Sequence, residues 1–290
     1  MRQDANVYCP TFGRCHGSRG LATPEYDEDS VTSTAHVALE SLIRRDRLWV
    51  VVGVIGVSTL AWLYLISMAA GMDTMGDAML SPRVTSWASA DFVLMFMMWV
   101  IMMVAMMLPS ATTMILLFAM VNRRRLSQGQ AVTPPLVFAA GYLAVWSAFS
   151  LAATLLQRGL HGAGLLSPMM TTTSALLGGA TLVAAGIYQW TPLKTSSLRH
   201  CQSPLHFIST RWQNGVGGAF RMGWTHGLYC LGCCWVLMCL LFVGGVMNLL
   251  WIAGLAVFVL IEKVWQHRWV PPLSGTALVV WGGLVAARSF

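Results

Sequence analysis

Apolar runs separated by short polar stretches make up the chain after residue 47. A helix that crosses a bilayer needs about 20 mainly apolar residues. The runs are Leu48–Met72, Phe92–Met120, Leu136–Gln157, Ser174–Trp190, Gly227–Val246, Asn248–Ile261 and Leu273–Ala287. The pattern predicts an all-α, polytopic transmembrane helix bundle over residues 48–288. It has about seven spans, or six if the short last run does not cross.

The first 47 residues are polar, rich in Ser, Thr, Gly and acidic residues, and show no helix or strand period. Such a composition predicts a disordered tail. No early apolar stretch marks a cleavable signal peptide, so we expect the first span to act as the signal.

The composition indicates a surface that faces lipid. Hydrophobic residues make up 56% of the chain and charged residues 10%, against about 25% charged residues in soluble domains. Mean hydropathy is +0.64. The net charge of +7 is explained by loops held on the cytoplasmic side, so the lipid bilayer is the expected partner and nucleic acid is not. The sequence identifies no protein partner.

Basic residues cluster on alternate sides of the predicted spans. The clusters contain Arg44, Arg45 and Arg47; Arg123, Arg124 and Arg125; Lys194, Arg199, Arg211 and Arg221; and Lys263 and Arg268. By the positive-inside rule, the N-terminus and a loop at residues 191–222 are predicted to be cytoplasmic.

A ribbon of soft metal ligands lies at the start of the fifth run. It consists of His226, Cys230, Cys233, Cys234 and Met238. Residues three or four apart share one face of a helix, and imidazole, thiolate and thioether groups are ligands for soft or borderline metals. Cysteine is also a common buried residue of helices. Three cysteines within five residues nevertheless favour a metal or redox site.

Three further features extend this interpretation. Span two carries a methionine stripe at Met98, Met102 and Met106, which suits Cu(I) or serves packing. Cys201 lies with His200 and His206 in the 191–222 loop. This loop and the start of span five are both predicted to lie on the cytoplasmic side, so Cys201 is predicted to meet the helix cysteines. Glu262 lies at the end of the sixth run, where a carboxylate bordering the membrane is costly and is usually paired or functional. The neighbouring Lys263 could balance its charge, or Glu262 could have a functional role.

Several motifs are similar to those of the prokaryotic DUF2182 family of predicted metal-binding membrane proteins. They are Trp99-x-x-Met102-x-x-Ala105-Met106-Met107-x-Pro109-Ser110, Tyr188-Gln189-x-x-Pro192-Leu193-Lys194, Cys201-x-Ser203-Pro204 and Gly227-x-x-Cys230-x-Gly232-Cys233-Cys234-Trp235. The resemblance covers about residues 40–265 and implies a multi-pass protein of the bacterial plasma (inner) membrane. Ser197 and Gln202 stand where the family often has a cysteine and an arginine. A metal site centred on the loop is therefore less favoured than one centred on the helix cysteines.

The predicted function is binding or handling of a soft metal ion near the cytoplasmic face. Cu(I) is favoured, with Zn(II) as the alternative because thiolate and imidazole also suit zinc. The predicted ligands are Cys230, Cys233, Cys234, Cys201, His226 and Met238. A thiol-disulfide oxidoreductase using Cys230-x-x-Cys233, or a non-catalytic assembly subunit, are the alternatives. The sequence shows no nucleophile elbow, phosphate-binding loop or carboxylate pair, so a non-enzymatic role is favoured.

The predicted orientation can be tested at Cys201. We expect a membrane-impermeant thiol reagent to label Cys201 only after cells are lysed, because the basic residues of the 191–222 segment hold it inside. Labelling in intact cells would place this segment, and the metal site with it, on the outside.

Overall fold

The computed structural model describes residues 28–75, 89–126, 128–129, 133–165, 172, 174–265 and 269–287, with side chains from residue 47 to 71 in the first of these ranges. The regular secondary structure of these residues is helical, as predicted. The helices are α1 (Glu28–Met75), α2 (Ser89–Leu126), α3 (Pro135–Gly162), α4 (Ala175–Gln189), α5 (Pro192–Gln202), α6 (Pro204–Arg211), α7 (Gly215–Cys239), α8 (Leu241–Gly244), α9 (Leu249–Val264) and α10 (Val270–Ala287).

The chain divides into two compact units, Met1–Leu42 and Ile43–Phe290. The described part of the first unit is the beginning of α1.

A helix occupies each of the seven predicted span positions. Within the described residues, five apolar segments are long enough to cross a membrane, and they lie in α1, α2, α3, α7 and α10. The 15 residues of α4 extend about 22 Å at 1.5 Å per residue, which is short of the roughly 30 Å of a hydrocarbon core. α9, with 16 residues, is similarly short. The protein is therefore a multi-pass helical membrane protein, and the count of seven spans is not confirmed.

The two predicted polar segments contain helices where they are described. Residues 1–27 of the predicted tail lie outside the described residues, whereas residues 28–47 are helical and continue into the first span. The predicted 191–222 loop contains α5, α6 and the first turns of α7. Thr191 starts α5, because its side chain accepts a hydrogen bond from the backbone N–H of Lys194 and Pro192 occupies the first turn.

The core forms where α3 packs against both α2 and α7. α3 and α7 approach so closely that a Cβ on Gly223 would overlap the backbone carbonyl of Phe138, and one on Gly141 would overlap that of Phe220. Small residues allow this approach between membrane helices, where lipid offers no hydrophobic drive for association. The contact brings Tyr142 of α3 against the cysteine face of α7.

Glycines also join α4 to α10. A Cβ on Gly179 would lie 2.7 Å from the carbonyl oxygen of Gly282, and one on Gly186 would lie 2.6 Å from that of Gly275. In both helices the two glycines are seven residues apart, so they lie on one face at successive contact points. The order of the contacts along each helix makes the pair antiparallel.

We predict that Gly282→Ala destabilises the protein by about 1–3 kcal/mol, the usual cost of overpacking a close contact. Gly283→Ala is the matched control, because a Cβ there meets nothing within 4 Å and alanine favours helix. Thermal unfolding in detergent measures both variants. Equal midpoints for the two variants would contradict the close α4–α10 contact.

Candidate metal centre

The three cysteines of α7 point into the protein. Cys230, Cys233 and Cys234 are 2%, 1% and 0% exposed. The Sγ atoms of Cys233 and Cys234 donate to the backbone carbonyl of Cys230 at 3.1 and 3.0 Å. The helical spacing therefore places the sulfurs on one buried face, as predicted, and not against lipid.

The sulfur of Cys230 lies between a cation and a phenol. Lys263 Nζ of α9 donates to Cys230 Sγ at 3.0 Å, and the Tyr142 hydroxyl of α3 lies 3.0 Å from the same sulfur. Lys263 also donates to Ser110 Oγ at 2.9 Å and lies 3.9 Å from Met107 Sδ. An ammonium group with this set of partners is held in place inside the bundle.

Helix α2 supplies the remaining contacts of this cluster. The Tyr142 hydroxyl lies 3.0 Å from the carbonyl oxygen of Met107, and Ser110 Oγ donates to the same oxygen at 2.8 Å. Pro109 stands between these residues inside α2 and removes one backbone donor from the helix. Because the backbone carbonyl of Ala105 thereby loses its helical partner, we expect a bend of α2 near Ala105–Pro109.

A buried ion pair fixes the orientation of α9. Lys194 Nζ of α5 contacts Glu262 Oε2 at 2.7 Å, with both side chains essentially inaccessible at 0% and 1%. Gln202 Nε2 donates to the backbone carbonyl of Glu262 at 3.0 Å. The expectation that Lys263 balances the charge of Glu262 is wrong. Lys194 is the partner of Glu262, and Lys263 contacts Cys230 instead.

The predicted meeting of Cys201 with the helix cysteines is present in the structure. Cys201, half-buried at the end of α5, hydrogen-bonds to Cys233, and this bond together with burial raises the pKa of the Cys201 thiol well above its usual range. α5 lies tightly on α7 because Gly232 leaves room for Ser197, whose Oγ would be 2.7 Å from a Cβ at that position. The Tyr188 hydroxyl donates to the carbonyl of Gly232.

His226 and Met238 lie on the same helix but differ in their surroundings. His226 is 4% exposed and packs against Tyr142, with ring centroids 5.7 Å apart. Its Nδ1 atom has no hydrogen-bond partner among the described residues. Met238, further along α7, is fully buried.

The methionine stripe of α2 faces the protein. Met98, Met102 and Met106 are at most 3% exposed, whereas Met97, on another face of the helix, is 42% exposed. Thioethers therefore line the interior of the bundle. The stripe is part of the core whether or not it meets a metal.

Within the described residues, no three or more His, Cys, Asp or Glu side chains are arranged to hold a metal ion. The cause is visible in the contacts. The Cys230 sulfur is bound by Lys263 and Tyr142, and the other two helix sulfurs turn to a backbone carbonyl. Metal binding by these sulfurs would require side-chain rotation.

The family model of PpoB2, a copper chaperone, matches residues 96–285. The match covers well over half of the chain. The chain belongs to this copper chaperone family. The matched range contains Met107, Tyr142, Cys201, Cys230 and Lys263, which form the cluster described above. No curated protein and no solved structure matches the chain.

The family is thus identified as a copper chaperone family, and not as DUF2182 by name. Copper agrees with the soft-ligand interpretation of the sequence. Lys263 and Tyr142, which both contact the Cys230 sulfur, are not among the residues predicted from the sequence. Lys263 was visible as a charge at the end of an apolar run, which is a functional signal in a membrane helix. Tyr142, within the third run, gave no signal.

We predict that Lys194→Met destabilises the protein by about 3–5 kcal/mol, because it leaves the Glu262 carboxylate buried without its partner. The double variant Lys194→Met/Glu262→Leu should recover most of this loss, since both partners of the buried pair are then gone and no carboxylate is left unpaired. Unfolding in detergent measures both. Arg199→Met, at an exposed position of the same helix, is the control, and a double variant as unstable as Lys194→Met would contradict the pairing.

Proposed function

We propose that this protein is a membrane-embedded chaperone that holds Cu(I) through Cys230, Cys233 and Cys234, near the cytoplasmic face of a bacterial plasma membrane. Cys201, His226 and Met238 are the proposed sources of further ligands. Membership of a copper chaperone family and the burial of three sulfurs on one helix face support the proposal. Copper is the cargo in this role, and no catalytic group is required.

The observation that carries the proposal is the contact of Lys263 Nζ with Cys230 Sγ. Metals bind the thiolate form of cysteine, and a hydrogen-bonded ammonium group stabilises an anionic sulfur. Three thiolates on one Cu(I) ion carry a net charge of −2. In a low-dielectric interior the positive charge of Lys263 offsets part of that charge.

The Tyr142 hydroxyl can serve the sulfur in both of its protonation states. A phenol has one hydrogen to donate, and the hydroxyl lies 3.0 Å from both the Met107 carbonyl and Cys230 Sγ. While the hydrogen points to the carbonyl, the phenol oxygen accepts from the thiol. When the thiol loses its proton, the phenol hydrogen can turn to the sulfur.

The other helix sulfurs can be released at little cost. The bonds of Cys233 and Cys234 to the Cys230 carbonyl use thiol donors, which are weak. Rotation of the side chains would free both sulfurs to meet an ion beside Cys230. Cys201, in contact with Cys233, is the nearest thiol from another helix.

Zinc is the less favoured cargo. Thiolates and imidazole suit Zn(II), but the buried thioethers of α2 suit Cu(I). The Glu262 carboxylate, a ligand type that zinc accepts, is engaged by Lys194. The proposed ligands are therefore mainly sulfur, with His226 as the one imidazole.

A thiol-disulfide oxidoreductase is the second candidate. The contact of Lys263 with Cys230 favours it, because an ammonium group also activates a thiolate nucleophile. Its weakness is access, since Cys230 and Cys233 are 2% and 1% exposed. Reactive cysteines are at least partly exposed, and a protein disulfide cannot reach these sulfurs without opening the bundle. A non-catalytic assembly subunit with inert cysteines would bind no copper.

We predict that Cys230→Ser weakens Cu(I) binding by more than about a hundredfold, and that Lys263→Met weakens it about 10–100-fold, the range seen for groups that support a metal ligand. Competition of the purified full chain with a chromophoric Cu(I) chelator measures both. Cys239→Ser is the matched control, because Cys239 lies on the same helix and is only half-buried.

Wild-type affinity in Cys230→Ser would contradict the proposal. If that variant instead loses a reversible disulfide that mass spectrometry detects in the wild type, and its copper binding is unchanged, the oxidoreductase is favoured.

A further inference from the structure

A surface groove lies beside α5 and α6, in a part of the chain that belongs to none of the candidate spans. Its volume is about 580 Å³, and its lining consists of His200, His206, Phe207, Thr210, Arg211, Trp212 and Gln213. Cavities of roughly 300–1,000 Å³ suit small molecules. The lining offers two imidazoles and a guanidinium group, and no acidic residue.

The groove shares one wall with the interior cluster. Phe207 lines the groove and meets His226 edge-on, with ring centroids 5.8 Å apart. His226 packs against Tyr142, which contacts Cys230. A single aromatic side chain therefore separates the groove from a buried imidazole whose Nδ1 atom has no partner among the described residues.

His200 is held in a fixed orientation at the groove. Its ring stacks on Tyr229 at 4.2 Å with an interplanar angle of 5°, and its Nδ1 atom lies 2.8 Å from the carbonyl oxygen of Ser196. A carbonyl can only accept, so Nδ1 carries the hydrogen and Nε2 keeps a free lone pair. The next residue is Cys201, which hydrogen-bonds to Cys233.

The charge of the groove decides what form of copper fits it. Arg211 is exposed and lines a groove without acidic residues, so a bare cation is repelled. Cu(I) bound by two thiolates is an anion, and a thiol peptide adds carboxylates that match a guanidinium fork. Imidazole nitrogens with free lone pairs can then approach the metal.

We propose that this groove binds a small anionic Cu(I)–thiolate complex and presents its copper to the interior cysteines. The proposal rests on the proposed function for the identity of the cargo. The exchange balances without redox chemistry. Copper stays Cu(I), and the three cysteine thiols bind it as thiolates. Two of their protons leave on the two released carrier thiols, and the third goes to solvent.

The test is the rate at which the full chain in detergent takes up copper from Cu(I)–glutathione, followed by the copper retained after rapid desalting. We expect Arg211→Gln to slow this uptake about tenfold, within the range of electrostatic effects on association, and His206→Ala to slow it as well. Uptake from the cationic Cu(I)–acetonitrile complex should not be slowed in either variant, because loss of a positive charge does not hinder a cation. The final stoichiometry should match wild type, which would also show that the variants fold.

Arg199→Gln is the matched control, because Arg199 is an exposed arginine of α5 that does not line the groove. Wild-type uptake by Arg211→Gln, equal slowing from both donors, or equal slowing in Arg199→Gln would overturn the groove proposal alone. Failure of the wild type to take up copper from either donor would overturn the proposed function as well.

Discussion

The contact between the Lys263 ammonium group and the Cys230 sulfur organises the interior of this protein. A buried cation is costly in a membrane helix bundle unless other groups take over its hydrogen bonds. Ser110 Oγ and Cys230 Sγ do so here, at 2.9 and 3.0 Å. The neighbouring Glu262 is held by Lys194, which fixes the rotation of α9 about its axis. Residues of α2, α3, α5, α7 and α9 thus meet around two adjacent positions of one short helix.

The same contact places a positive charge next to the cysteine sulfurs. An interior of low dielectric tolerates an anionic metal–thiolate group only beside a compensating charge. In the proposed copper-bound state, Lys263 would supply that charge without being a ligand itself. The thiol donors of Cys233 and Cys234 make only weak bonds to the Cys230 carbonyl, so these two sulfurs could turn to an ion without disturbing the close contact of α3 with α7 at Gly141 and Gly223.

Local patterns in the sequence were enough to predict the helices and the cysteine face. Apolar runs marked the helices at the seven predicted span positions, but not α5 and α6 in the predicted loop. The spacing of Cys230, Cys233 and Cys234 placed them on one buried face. The charge asymmetry also predicted correctly that Cys201 reaches this face. The role of Tyr142 depends on how α3 packs, and nothing local signals it. The sequence suggests Lys263 as the partner of Glu262, but adjacent residues of a helix point in different directions, and Lys194 is the partner in the structure. The apolar run at α4 predicts a span, although its 15 residues are short for one.

X-ray absorption at the copper edge of the loaded full chain tests the central claim most directly. The account predicts a first shell dominated by sulfur in the wild type, with one sulfur fewer in Cys230→Ser and no change in Cys239→Ser. A shell of nitrogen and oxygen, or a sulfur shell that Cys230→Ser leaves unchanged, would show that the copper does not bind beside Lys263.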